Sequence, residues 1–155
     1  MLTIGSQTLM DETGFLELAD ELSTGSREAD WRTAISRAYY AAFHKARTLF
    51  RQVGFRVPGA ERAHAYLWLR LSNSGHLDVN KAGDQLNNLR SMRNLADYDF
   101  DQPLDGAASI EQVGVALDIV QLLHQLANEP AILTRVADGI KIYERDVLRE
   151  VTWHP

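Results

Sequence analysis

The sequence predicts an all-α fold: an antiparallel up-and-down bundle of four to five core helices, with a short N-terminal helix and a C-terminal helix. Three observations predict it. Apolar residues recur at three- and four-residue steps along nearly the whole chain. The breaks between these runs are short turn-forming clusters, STGS, GFRVPGA, SNSG, DQPLDG and NEP. No segment alternates as a half-buried strand would.

The first helix is expected over Asp11–Leu22, with Phe15, Leu18, Ala19 and Leu22 inward and Asp11 or Thr13 as its cap. A long second helix runs from about Glu28 to Val53. Ile35, Ala38, Tyr39, Ala42, Ala46, Leu49 and Val53 form its core stripe, and Gly54 is placed to end it in a left-handed cap. The third spans about Ala60–Leu71. A fourth starts near Val79, carries Ala82, Leu86, Leu89, Leu95 and Ala96, and frays around Asp99–Asp101. Ser109 with Gln112 resembles a capping box opening the fifth helix, whose inward residues are expected to be Ile110, Val113, Leu117, Val120, Leu123 and Ala127. Pro130 starts the last helix, which reaches about Arg149.

At 155 residues the chain fits a single domain, residues 1–155. It contains no cysteine, which excludes disulfides, thiolate nucleophiles and thiolate metal sites and suits an intracellular, cytoplasmic setting. The start, MLTIGSQTLMDETG, lacks the basic and apolar regions of a signal peptide. No stretch is expected to approach the ~18 apolar residues that cross a bilayer, so no membrane partner is expected. The net charge of −5 argues against a general nucleic-acid coat. Its distribution is uneven: Arg32, Arg37, Lys45, Arg47, Arg51 and Arg56 occur with no acid among them, while the first thirty residues are acidic. Such a strip steers a phosphate-bearing ligand, or else is a solvated helix face beside an acidic neighbour.

Two polar groupings carry candidate chemistry. On the second helix Arg37, Tyr40, His44, Thr48 and Arg51 share a face, a row able to stack a base and pair a phosphate. The plainer alternative is that Tyr40 and His44 are half-buried at a helix or dimer contact. On the fourth helix Arg90, Arg93, Asn94 and Asp97 lie close together, followed by Tyr98. Arg93 and Asp97 are four apart and suit an exposed ion pair worth a few tenths of a kcal/mol. Asn94 is a poor helix former, which favours a hydrogen-bonding role. Asp97, Asp99 and Asp101 lack the glycine and terminal glutamate of a calcium loop, and His64 and His76 have no partners at metal-ligand spacing. No metal and no cofactor is therefore expected.

RTAISRAYYAAFHKARTLF (Arg32–Phe50) followed by LRSMRNLADYDF (Leu89–Phe100) resembles the HEPN domain superfamily, over roughly Gly14–Leu126. The resemblance implies a helical bundle that commonly forms homodimers. Many such domains are metal-independent ribonucleases of toxin–antitoxin and defence systems. In these an arginine, followed after four to six residues by a histidine, promotes attack of the RNA 2′-hydroxyl on its own phosphate. Others bind nucleotides or pair with a nucleotidyltransferase encoded beside them. Carried over, Arg93 matches the motif arginine and Asn94 the polar residue after it. The histidine should fall at positions 98–100, where this chain has Tyr98, Asp99 and Phe100. Tyrosine, with a free pKa near ~10, is a poor general base. His44 is the alternative imidazole, provided that the second and fourth helices pack together.

Three functions fit. The first is a nucleotide- or RNA-phosphate-binding module using Arg90, Arg93, Asn94, Asp97, Arg37 and Tyr40, acting beside a partner such as a nucleotidyltransferase. The second is an endoribonuclease with an altered site, in which Arg93 stabilises the transition state and His44 or Tyr98 handles the proton. The third is a structural dimerisation domain.

Overall fold

The computed structural model describes residues 3–4, 7–8 and 10–154. Six α-helices carry the described fold: α1 (Glu12–Ser23), α2 (Glu28–Gln52), α3 (Arg62–Ser72), α4 (Leu77–Tyr98), α5 (Gly106–Ala127) and α6 (Pro130–Tyr143). A short antiparallel ribbon precedes them, β1 (Thr3–Ile4) on β2 (Gln7–Thr8), with Thr3 opposite Thr8 and Ile4 opposite Gln7. Periodicity does not reveal it, because two-residue strands are too short to show alternation. The helices pack on one another as the all-α bundle the periodicity predicts.

α2 is the central helix and packs against α1, α4 and α5. Its buried face explains why three neighbours fit around it. Ala34, Ala38, Ala41, Ala42 and Ala46 are fully buried, and such small side chains let adjoining backbones approach closely. Ile35, Tyr39, Phe43, Leu49 and Phe50 fill the space between these contacts. Gly54 follows the helix at φ +96°, the left-handed conformation that costs glycine little. Asp11 caps α1 by accepting the Thr13 N–H at 2.9 Å. Leu18 is exposed rather than inward, and Leu16 packs on the core in its place.

Several boundaries and faces differ from expectation. α3 starts at Arg62, after Ala60, which adopts a left-handed φ of 53°. α4 starts two residues early because His76 caps it, its Nδ1 accepting the Val79 N–H at 3.4 Å. Asp105, not a Ser109–Gln112 box, opens α5: its carboxylate accepts the Ala108 N–H at 2.8 Å. Ser109 is buried one turn inside and donates to the Gly106 carbonyl at 2.9 Å. The inward face of α5 is accordingly Ser109, Val113, Ala116, Ile119, Leu123 and Leu126, whereas Ile110 and Leu117 are exposed. α5 is apolar on most sides, so periodicity alone misplaced Ile110 and Leu117, while Val113 and Leu123 are buried and Val120 and Ala127 pack on the core as expected. By length and composition it is also the one described helix that could cross a membrane, contrary to the expectation that no stretch would qualify.

α6 begins at Pro130 as expected, but after Tyr143 it widens into a π-helical turn, Glu144–Leu148, ending at Arg149 with φ 55°. The turn is tied down by a buried polar cluster. Glu144 is fully buried and accepts from Arg70 Nε at 2.7 Å, from the Thr152 N–H at 3.0 Å and from the Thr152 hydroxyl at 2.6 Å. The Tyr66 hydroxyl donates to Thr152 Oγ1 at 2.5 Å. The C-terminal segment is thereby fastened to α3.

Candidate functional site

The i, i+3 and i, i+4 steps of α2 place Arg37, Tyr40 and His44 along one side, with Tyr39 turned into the core beside them. α4 packs against α2 and brings Arg93 onto this row. The Arg93 guanidinium carbon is 5.3 Å from the ring centre of Tyr39 and 5.3 Å from that of Tyr40. Arg37 approaches Tyr40 too, at 5.1 Å. The His44 ring centre is 6.1 Å from that of Tyr40. The two sequence motifs therefore meet at Tyr40. Each desolvated cation–π contact contributes about 1–2 kcal/mol.

Arg93 is only 5% exposed, so how its charge is balanced matters. Asp97 reaches it at 4.0 Å, beyond hydrogen-bond distance, and instead accepts from the Ser36 hydroxyl at 3.2 Å. The Nε–H groups of Arg93 and of Arg90 are enclosed and find no acceptor among the described residues. A simple Arg93–Asp97 ion pair thus accounts for little of the arrangement. Two guanidinium groups one turn apart, Arg93 resting on two tyrosine faces and neither Nε–H taken up by a carboxylate, form a positive locus suited to an anion.

The two tyrosine rings under Arg93 also meet an imidazole that the motifs did not supply. His64, on α3, is buried. Its Nδ1 lies 2.5 Å from the Tyr39 hydroxyl, and its ring stacks on Tyr39 with centres 5.6 Å apart. Phe43 and Tyr40 enclose it, with ring centres at 4.7 and 6.3 Å. Burial holds the His64 pKa below the ordinary histidine value, and the charges of Arg90 and Arg93 lower it further against a small opposing effect of Glu61. Burial raises the Tyr39 pKa well above the ordinary phenol value. At neutral pH His64 is therefore uncharged and Tyr39 keeps its proton. A sequence signal for His64 existed: it precedes Leu67 and Leu71 by three and seven residues, on the core face of α3.

His44 has a different setting. Its Nδ1 accepts from Arg47 at 2.8 Å, and its ring stacks on Phe15 with centres 5.8 Å apart. Burial lowers its pKa, followed by the charges of Arg47 and Arg37, while Glu12 opposes them. It lines a cleft of about 270 Å³ with Met10, Asp11, Glu12, Phe15 and Thr48. Asn94 and Tyr98 are exposed, Tyr98 at 77%, and Phe100 beside it lies under Arg32 at 5.2 Å.

Much of the basic strip has structural partners. Arg32 donates to the carbonyls of Leu95, Ala96, Asp99 and Gln102, closing the C-terminus of α4. Lys45 pairs with Glu12 at 3.4 Å, and Arg56 donates to the Thr152 carbonyl at 3.2 Å. Among the described residues no cluster of three histidine or carboxylate side chains is arranged to hold a metal ion.

The family model described as "HEPN domain" matches residues 14–129, from within α1 to the end of α5 and the turn after it. No curated protein and no solved structure matches the chain.

Proposed function

The chain belongs to the HEPN domain family, and from that premise we propose that it is a phosphate-binding module for RNA or a nucleotide. The observation that carries this reading is the pair Arg90 and Arg93, whose enclosed Nε–H groups have no acceptor among the described residues. Arg90, the less buried of the two, meets a phosphate oxygen first, and Arg93 supplies charge from behind it. Arg37 and Tyr40 extend the site along α2, with Tyr40 offering a ring for base stacking. Asn94 and Asp97 border it on α4. On this reading the domain works in the cytoplasm as a homodimer beside a nucleotidyltransferase of a toxin–antitoxin or defence system. The exposed Tyr98 hydroxyl is then the accessible target for modification by such a partner; mass spectrometry after co-expression tests this, and an unmodified Tyr98 would count against it.

A second reading, a metal-independent endoribonuclease, is favoured by one contact: Tyr40 bridges Arg93 and His44. Arg93 would stabilise charge on the phosphorane, with His44 or Tyr98 handling the proton. One experiment separates the two. Purified protein is incubated with single-stranded and structured RNA in EDTA. The binding module leaves the RNA intact and gains thermal stability from it, an effect abolished by Arg93→Ala. Cleavage abolished by Arg93→Ala supports the enzyme instead. An unchanged response of the folded Arg93→Ala protein in both measurements would overturn both readings.

A further inference from the structure

We infer that His64 contacts the bound phosphodiester, its Nε2–H donating to a non-bridging oxygen beside Arg90 and Arg93, with Tyr39 fixing the tautomer that makes this donation available. The inference rests on the phosphate-binding reading of the same site and adds to it a third donor from a third helix.

The tautomer follows from the hydrogen bonds. Tyr39 keeps its proton, and its hydroxyl has one partner among the described residues, His64 Nδ1. Were Nδ1 the donor, the tyrosine proton would be left without an acceptor in an enclosed place. Tyr39 therefore donates to Nδ1, and the proton of the neutral imidazole sits on Nε2. Nε2 makes no hydrogen bond to any described residue. Its donor is spare, and it belongs to a ring held by Tyr39, Tyr40 and Phe43.

The electrostatics point to an anion as the acceptor. The charged groups facing His64 are Arg90 and Arg93 on α4 and Glu61 just before α3; Tyr39 and Tyr40 face it from α2 as neutral groups. The two arginines make the place unfavourable for a further cation. A phosphodiester monoanion cancels part of that field and restores the affinity of His64 for a second proton, taken up at Nδ1 as the Tyr39 hydroxyl turns from donor to acceptor; the bound anion offsets the acceptor that the tyrosine proton gives up. Binding is then coupled to proton uptake, so affinity rises as pH falls. An imidazole that only packed, with the same proton affinity in the free and bound protein, would leave ligand affinity independent of its titration.

The test uses a fluorescently labelled oligouridylate without terminal phosphates, so that the ligand does not titrate. Affinity is measured by anisotropy at about pH 5.5 and about pH 7.5, on either side of the ordinary histidine value. The parent protein is expected to bind several-fold more tightly at the lower pH, roughly tenfold being the limit that one pKa unit sets. His64→Gln retains an N–H donor but cannot take up the proton, and should bind as the parent does at the higher pH without tightening at the lower. The double variant Tyr39→Phe/His64→Phe removes both partners of the buried bond together, which limits the harm to folding. It should bind about tenfold more weakly at the higher pH and show no pH dependence.

A folded double variant with parental affinity and pH profile would overturn the inference. If that variant does not fold, persistence of the full pH dependence in His64→Gln overturns it, the titration then belonging to another group such as His44. Arg93→Gln is measured in parallel. Binding lost in Arg93→Gln but unaffected in the His64 variants rejects the role of His64 alone. Parental binding in Arg93→Gln, or no binding by the parent protein, rejects the phosphate site itself.

Discussion

The hydroxyl of Tyr39 and Nδ1 of His64 lie 2.5 Å apart inside the bundle, linking α2 to α3 through the ring that the Arg93 guanidinium covers at 5.3 Å. Tyr39 touches the arginine with its ring face and the histidine with its hydroxyl. One core residue thus sets the position of two groups at the candidate site.

Removing that hydroxyl alone should be costly. Tyr39→Phe leaves a buried histidine nitrogen without its donor, and a loss of about 1–3 kcal/mol is expected. Urea unfolding followed by circular dichroism measures it. A loss under about 0.5 kcal/mol, the level of an ordinary surface change, would mean that the bond contributes little.

Stability should also depend on pH in a defined direction. His44 and His64 are both held below the ordinary histidine value in the fold. On unfolding they regain it, so as pH falls the unfolded chain binds protons first. The associated stability is fully present above about pH 6.5, declines as pH drops from there through the lowered folded-state values, and then levels off. Unfolding free energies across this range check the slope, which should flatten in Tyr39→Phe/His64→Phe.

Arg32→Ala should fray α4 near the site. Arg32 donates to four carbonyls at or just beyond the helix end, and Glu28 joins the same cluster by accepting from Arg32 at 3.1 Å and from the Leu104 N–H at 2.8 Å. Charged hydrogen bonds of this kind contribute about 1.5–3 kcal/mol, and a comparable loss is expected. Amide hydrogen exchange should accelerate over residues 95–102 and leave α3 unchanged. Uniform acceleration throughout would instead indicate a global effect.

The buried Arg70–Glu144 pair should behave asymmetrically. Arg70 is 3% exposed and Glu144 is fully buried, so Glu144→Leu leaves an uncompensated cation and should cost about 3–5 kcal/mol. Arg70→Met/Glu144→Leu should recover a substantial part. A double variant no more stable than Glu144→Leu would show that the links from Glu144 to Thr152, rather than the charge pair, dominate.

Gly139 is a packing glycine rather than a turn. An added Cβ would overlap the Ser74 carbonyl, where α6 crosses the turn after α3. Gly139→Ala should destabilise by about 1–3 kcal/mol through overpacking, read as a lower thermal midpoint. An unchanged midpoint would mean that α6 shifts freely on this turn.

The helices were legible because their burial follows local periodicity: the core stripe of α2 and the Gly54 stop are properties of neighbouring residues. α5 was less so, because apolar residues surround it and only its neighbours select the buried side. Arg37, Tyr40, His44 and Arg93 could be singled out from residue type and spacing, and Tyr40 brings them together. His64 and Glu144 could not be placed in the same way. Each is a polar residue whose significance lies in a partner distant in the chain, Tyr39 for one, Arg70 and Thr152 for the other.

By itself, then, the sequence determined the helical class, the family resemblance and the two motifs, since each is written in a short window of the chain. Tertiary structure decided how Arg93 is balanced. Its i+4 neighbour Asp97 was the local choice of partner, yet the packing of α4 on α2 put the guanidinium over two tyrosine rings and turned Asp97 toward Ser36. Helical spacing fixes which side chains can meet on one helix; only the approach of a second helix fixes which of them do.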